Sequence, residues 1–161
     1  MNLSLDWPGH RILALGARLY LGGLFVWASL HKIASPSTFA LDVATYQFLP
    51  LIAVNLFALL VPWLEALAGA LLLVGVRVRA AALVVASLML AFMVALAWAL
   101  HLGLDMSCGC FASESATTEH PISWLTLLRD TGWLALAIYV MIFDVRPLGL
   151  ISLIQRKRRT S

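Results

Sequence analysis

The sequence predicts an all-α membrane protein: a bundle of four transmembrane helices, with a short interfacial helix between the first and second. Three observations carry that prediction. The chain is 62% hydrophobic and 12% charged, with a mean hydropathy of +0.94, whereas a soluble domain is roughly half apolar and a quarter charged. Its apolar residues gather into four runs, over 12–30, 48–76, 80–104 and 122–143. At about 1.5 Å per residue, each is long enough to cross a hydrocarbon core of roughly 30 Å. The breaks between the runs are short and carry turn residues or charge. No internal repeat and no soluble segment interrupts the pattern, so a single transmembrane domain is expected over 1–161, with a basic tail over 144–161.

The elements follow in order. Ile12 to Leu30 is too long for a signal-peptide core, and no small-x-small cleavage pattern follows it. It reads as the first span and holds Gly22-Gly23, which permits close helix approach. His31 to Gln47 is a break. Ser35-Pro36-Ser37 supplies turn and N-cap chemistry. Phe39, Val43 and Tyr46 then recur at helical spacing around Asp42, the pattern of a short helix lying in the interface. The second span contains Glu65 and Pro62, and a kink is expected at the proline. Arg77 and Arg79 form a basic turn. The third span ends near His101. Pro121 suits the first turn of the fourth helix, which carries Arg129 and Asp130.

The formal net charge of +3 does not point to nucleic acid. The run Arg156-Lys157-Arg158-Arg159 lies just past an apolar helix, where a basic cluster reads as a contact with an anionic lipid surface. The distribution of Lys and Arg also orients the spans. Arg11, Arg77, Arg79, Arg146 and Arg156-Lys157-Arg158-Arg159 fall on one side, and Lys32 on the other. Both termini are then cytoplasmic in a bacterial inner membrane, and the segment from Asp105 to His120 faces the periplasm, an oxidising compartment.

That segment holds both cysteines of the chain, Cys108 and Cys110. A CxC disulfide closes a very small ring, so it constrains the unfolded chain little and its geometry is strained. Strained, exposed disulfides are the labile, redox-active ones. A reactive dithiol therefore explains the pair better than a structural staple does. A soft-metal site for Cu(I) or Hg(II) is the competing chemistry, with Met106, His101 and His120 nearby in sequence. No second CxxC or His pair completes a tetrahedral zinc set, and no metal is expected.

Four charges fall inside apolar runs: Arg18, Glu65, Arg129 and Asp130. Charges there face the bundle interior or a cavity. Counted along the helices, Arg18 lies about 9 Å and Glu65 about 17 Å from the inner ends of their spans, and a long arginine closes most of that gap. Arg18 and Glu65 are thus expected to pair as structural charges. Arg129 and Asp130 lie about 10 Å below the outer end of the fourth helix, under the cysteine segment. As neighbours they point about 100° apart and are expected to need separate partners. Arg129 or Lys32 is a candidate cation for lowering a thiol pKa at Cys108 or Cys110.

The residues Arg18, Leu30-His31-Lys32, Ser35-Pro36, Phe39, Tyr46 and Leu49-Pro50 resemble the opening of the DoxX-like membrane proteins, most closely the MauE (methylamine utilisation) branch. Glu65, Ser107-Cys108-Gly109-Cys110-Phe111 and Leu128-Arg129-Asp130 extend the resemblance to about Phe143. One departure is Ala112, where glycine often follows the phenylalanine. The resemblance implies a four-helix inner-membrane protein that assists maturation of a periplasmic, disulfide-rich partner alongside a thioredoxin-like protein. It marks Lys32, Glu65, Cys108, Cys110, Arg129 and Asp130 as candidate functional residues.

Three functions fit these expectations. The first is thiol–disulfide exchange between Cys108/Cys110 and a periplasmic thioredoxin-like protein, with a quinone near Arg129 as a candidate electron carrier. The second is a non-catalytic assembly scaffold. The third is a soft-metal binder.

Overall fold

A computed structural model describes residues 8–45, 50–102 and 124–144 of the chain. Its helices are α1 (Pro8–Ala34), α2 (Pro36–Thr45), α3 (Leu51–Val74), α4 (Val78–His101) and α5 (Trp124–Phe143), and no strand occurs among the described residues. Four of the five are long and apolar enough to cross a membrane, and α2 is not. The four-span fold with a short helix after the first span is as the sequence predicts.

The boundaries differ from the expected ones in physically sensible ways. α1 continues to Ala34, so the predicted break at His31 shrinks to Ser35, and Lys32 lies inside the helix rather than beyond it. The backbone N–H of Ser35 still bonds to the His31 carbonyl, and that of Phe39 bonds to Ser35. A proline at the first position of α2 needs no such bond, so the chain turns there without losing a donor. α3 begins after Pro50 in extended conformation, whose carbonyl accepts from Ala53 and Val54. It is helical on both sides of Pro62.

The α3–α4 turn is built by Gly75. Its φ of 79° lies in the left-handed region that glycine enters freely. This lets Gly75 and Val76 both donate to the Leu71 carbonyl and close the helix. Arg77 follows with φ 46°, and α4 starts immediately, so Arg79 belongs to the helix and not to the turn.

The spans form an antiparallel square: α1 packs against α3 and α5, and α4 against α3 and α5, with α2 lying on α3 and α1. The start of α1, the Gly75–Arg77 turn and the end of α5 share one end of the bundle. The end of α1, the start of α3, the end of α4 and the start of α5 share the other. The closest approach is between α1 and α3. A Cβ on Gly69 would lie 2.9 Å from the Gly22 carbonyl oxygen, and one on Gly22 3.0 Å from that of Gly69. Small residues at a crossing let two membrane helices gain packing contact. Gly23, the other half of the predicted small pair, has nothing within 4 Å of its Cβ position.

The core near the turn end combines Leu21, Phe25, Ala68, Leu72, Ala82, Val85, Ala137 and Val140. A smaller cluster around Leu96 and Ala99 lies toward the other end, with Phe92 and Leu127 against it. Outside this core the usual order is inverted. Ile52 is 91% and Leu128 70% exposed, while Arg18, Glu65 and Asp130 are buried. Apolar residues outward and charges inward is the arrangement that lipid as solvent requires.

Candidate functional site

Among the described residues the charges inside the spans form three acid–base pairs, and they are not the pairs expected from depth along the helices. Arg18 does not meet Glu65. Its Nη1 donates to Asp144 Oδ2 at 3.2 Å. Glu65 instead accepts from Lys32, whose Nζ lies 2.9 Å from Oε1 and 2.8 Å from Oε2.

Side-chain direction explains the exchange of partners. Helical side chains lean toward the N-terminus of their own helix. In antiparallel α1 and α3 the lean of Lys32 and that of Glu65 point at each other. From the Gly22–Gly69 contact, Lys32 is about 15 Å further along α1 and Glu65 about 6 Å back along α3. The two leans and the length of lysine close the difference. Arg18, on the same helix as Lys32, also leans toward the start of α1, away from Glu65 and toward the end of α5, where Asp144 follows. Asp144 is the residue that sequence reasoning missed. The available signal was an acid directly after Phe143, at the same bundle end as Arg18.

The Lys32–Glu65 pair is enclosed. Both side chains are about one-tenth exposed, and the Phe39 ring of α2 lies 5.0 Å from Lys32 Nζ. A cation over an aromatic face gains electrostatic energy as well as shelter from water. The short helix thus covers the pair. Burial also raises the Asp42 carboxyl on α2 above the ordinary carboxylate range. Ser29, one turn before Lys32, is fully buried and donates to the Val26 carbonyl at 2.7 Å. This satisfies its hydroxyl within its own helix.

Arg129 and Asp130 differ from the expectation that each needs a separate partner. They contact each other, Arg129 Nε lying 3.4 Å from Asp130 Oδ1. The flexible arginine folds back across the angle between adjacent positions, and its guanidinium carbon also stands 4.8 Å from the Trp133 ring centre. Trp133 in turn donates from Nε1 to the Tyr20 hydroxyl at 3.3 Å, tying α5 to α1.

The burial of this last pair is lopsided. Arg129 is 34% exposed at its side chain and Asp130 1%. Asp130 Oδ2 has no hydrogen-bond partner among the described residues. A distance of 3.4 Å is long for a charge-assisted bond. This carboxylate is therefore weakly compensated, in contrast to Glu65, both of whose oxygens are bonded.

Cys108 and Cys110 lie outside the described residues, as do Met106 and His120. In the chain they sit on the segment joining the end of α4 to the start of α5. The end of α4 and the start of α5, which flank that segment in the chain, lie at the bundle end where α1 finishes. His101 is the last residue of α4 and is exposed. His31 is exposed too, and its ring meets Trp27 edge-on at 5.1 Å.

A family model described as methylamine utilisation protein MauE matches residues 10–143, a range that runs from the first turn of α1 to the last residue of α5. Two curated relatives carry the name methylamine utilization protein MauE. The one from Paracoccus denitrificans is 35% identical over 124 residues, covering 76% of this chain and 65% of that protein. The one from Methylophilus methylotrophus is 33% identical over 130 residues, covering 80% of this chain and 67% of its own length. The matched region is thus close to two thirds of each relative's length. No solved structure matches the chain. With its four apolar spans and a match over most of its length, this multi-pass membrane protein belongs to the MauE family.

Proposed function

We infer that this protein is an inner-membrane thiol–disulfide exchange factor of methylamine utilisation, acting through Cys108 and Cys110 on a periplasmic thioredoxin-like partner. The observation that carries this reading is the placement of both cysteines, one residue apart, on the segment between α4 and α5. The relatives' names supply the metabolic context. The wider DoxX-like relationship and a single domain over the whole chain belong to the same reading.

Orientation supports it. The start of α1, the turn with Arg77 and the end of α5 share one bundle end, and the basic residues concentrate there in sequence. An excess of Lys and Arg marks the cytoplasmic side. The cysteine segment then faces the periplasm, where disulfides persist.

The exchange runs in balanced steps. A thiolate of the reduced partner attacks the Cys108–Cys110 disulfide, breaking its S–S bond and forming a mixed disulfide. The released cysteine sulfur takes a proton. The partner's second thiolate attacks the mixed disulfide, and the partner leaves oxidised by two electrons. A membrane quinone would supply the oxidant that restores the disulfide, taking two electrons and two protons. Arg129, partly exposed and close to the Trp133 ring, is the residue on α5 that would hold it. Arg129 and Lys32 are the two candidate cations for stabilising a thiolate.

The test has two arms. Purified protein plus quinone should change the quinone absorbance only when both cysteines are present. A Cys108→Ser or Cys110→Ser variant should trap the partner as a reductant-sensitive adduct. A pair that traps nothing and leaves quinone unchanged would favour the scaffold reading, and stoichiometric Cu(I) retained by the cysteines would favour the metal reading.

A further inference from the structure

We propose that the seam between α1 and α5 holds a lipid-soluble quinone: the Tyr20 hydroxyl donates to one ring carbonyl, Arg129 donates to the other, and the Trp133 indole lies beside the ring. The proposal rests on the reading above for the identity of the electron acceptor, and it names the residues that bind it. Every residue involved lies on α1 or α5.

The Tyr20 hydroxyl carries the inference. It accepts from Trp133 Nε1 at 3.3 Å, and among the described residues no acceptor takes its own proton. Asp130, the acid on this stretch of α5, does not: its Oδ2 has no hydrogen-bond partner among the described residues and its Oδ1 is met by Arg129. Tyr20 is 54% exposed, so its donor is open to what surrounds the bundle. Depth decides what can meet it. Tyr20 stands about 12 Å along α1 from Ile12, and Trp133 about 15 Å along α5 from Phe143, the ends of their spans. Both positions are well inside a hydrocarbon core of roughly 30 Å. Water does not solvate a polar group there, and an unbonded donor is costly. The polar groups of phospholipids lie outside the core. What remains is an acceptor that is itself dissolved in the hydrocarbon, and a quinone carbonyl is one.

Arg129 supplies the second donor. It precedes Trp133 by one turn, about 6 Å along α5, and its guanidinium carbon lies 4.8 Å from the Trp133 ring centre. Its side chain is 34% exposed, whereas the other two cations within the spans, Arg18 and Lys32, are buried against Asp144 and Glu65. Gly132, beside Trp133 in the chain, is exposed and has no atom within 4 Å of its Cβ position, so a flat ring meets no side chain there. The carbonyls of a para-quinone project from opposite edges of one ring. Two donors set about a turn apart, with an indole between them, match that pattern. The indole also offers the ring an apolar face on which to stack.

The experiment is infrared spectroscopy of the full chain carrying Cys108→Ser and Cys110→Ser, in lipid nanodiscs with decylubiquinone labelled with carbon-13 at one or the other ring carbonyl. The expected result is that both carbonyl bands lie at lower frequency than in nanodiscs without protein. Tyr20→Phe should return one of them to its lipid position and leave the other shifted, and Arg129→Gln should do the converse. Titration should show Tyr20→Phe binding about fivefold more weakly, the worth of one neutral hydrogen bond. Tyr139→Phe, whose ring packs against Phe143, should change neither band. If Arg129→Gln does not fold, Tyr20→Phe decides alone. Bands at the lipid position with Tyr20 and Arg129 both present overturn the proposal, and so do two shifted bands that survive Tyr20→Phe. The thiol-exchange reading fails separately. Two shifted carbonyls in the cysteine-free protein, with no partner ever trapped by the single-cysteine variants, keep the quinone site and remove the exchange; a trapped partner with unshifted carbonyls does the reverse.

Discussion

Removing Lys32 while leaving Glu65 tests the architecture of the charged layer most sharply. The two carboxylate oxygens accept from one ammonium at 2.8 and 2.9 Å, with both side chains about one-tenth exposed. A pair of unit charges 4 Å apart attracts by about 4 kcal/mol at an effective dielectric of about 20. The desolvation of both ions offsets much of that, so the intact pair adds little net stability. Breaking it is different, because an uncompensated buried charge costs about 3–5 kcal/mol. Lys32→Met should therefore lower stability by about that amount, and Glu65→Leu by a similar one. The double variant leaves no charge uncompensated and should lose much less than the two single losses added together, so the cycle should be strongly non-additive. The assay is reversible unfolding by steric trapping in bicelles. The same cycle run on Arg18→Met and Glu65→Leu should be additive, since these residues contact different partners. Additivity for Lys32 with Glu65, or strong coupling for Arg18 with Glu65, would refute the pairing.

Further outcomes follow from other contacts. Gly69→Ala should destabilise by about 1–3 kcal/mol through overpacking, because its Cβ would meet the Gly22 carbonyl oxygen at 2.9 Å. Gly23→Ala, with open space around it, should be neutral or stabilising, and the same unfolding assay reads both. Trp133→Phe removes the bond to Tyr20 and should cost about 1 kcal/mol, with Tyr20→Phe no worse and the double variant non-additive. Asp42 gives a pH prediction. Its carboxyl is raised in the folded state by burial, so the folded chain binds the proton more tightly than the unfolded chain does. Its contribution to stability is then largest below the unfolded value and is lost as pH rises through the folded one. Asp42→Asn should raise the melting temperature at neutral pH, with the gain shrinking as the solution is acidified. A gain that grows on acidification would reverse the sign of the argument.

Hydropathy made the spans legible because lipid imposes one rule on every outward position, and a run of apolar residues reports it directly. The Gly22 approach was half legible. Two adjacent glycines announce a close contact but not which one faces the partner helix, and packing gives that role to Gly22 alone. The charges were visible as charges, and their partners were not. Depth along the chain gave Arg18 to Glu65, while the opposed leans of side chains on antiparallel helices give Lys32 to Glu65 and Arg18 to Asp144. The Arg129–Asp130 contact was hidden for a related reason. The angle between adjacent Cβ atoms excludes a straight contact, but a long arginine bends back across it. The covering role of Phe39 was not readable from α2 alone, because its target lies on another helix.

The central claim is that Cys108 and Cys110 cycle between dithiol and disulfide. It is tested most directly by mass-tag alkylation of the protein in intact cells, with and without the oxidative machinery active. The account predicts two interconverting tagged states in the wild type, and one state in each of Cys108→Ser and Cys110→Ser. A pair fixed in a single redox state under every condition would contradict it.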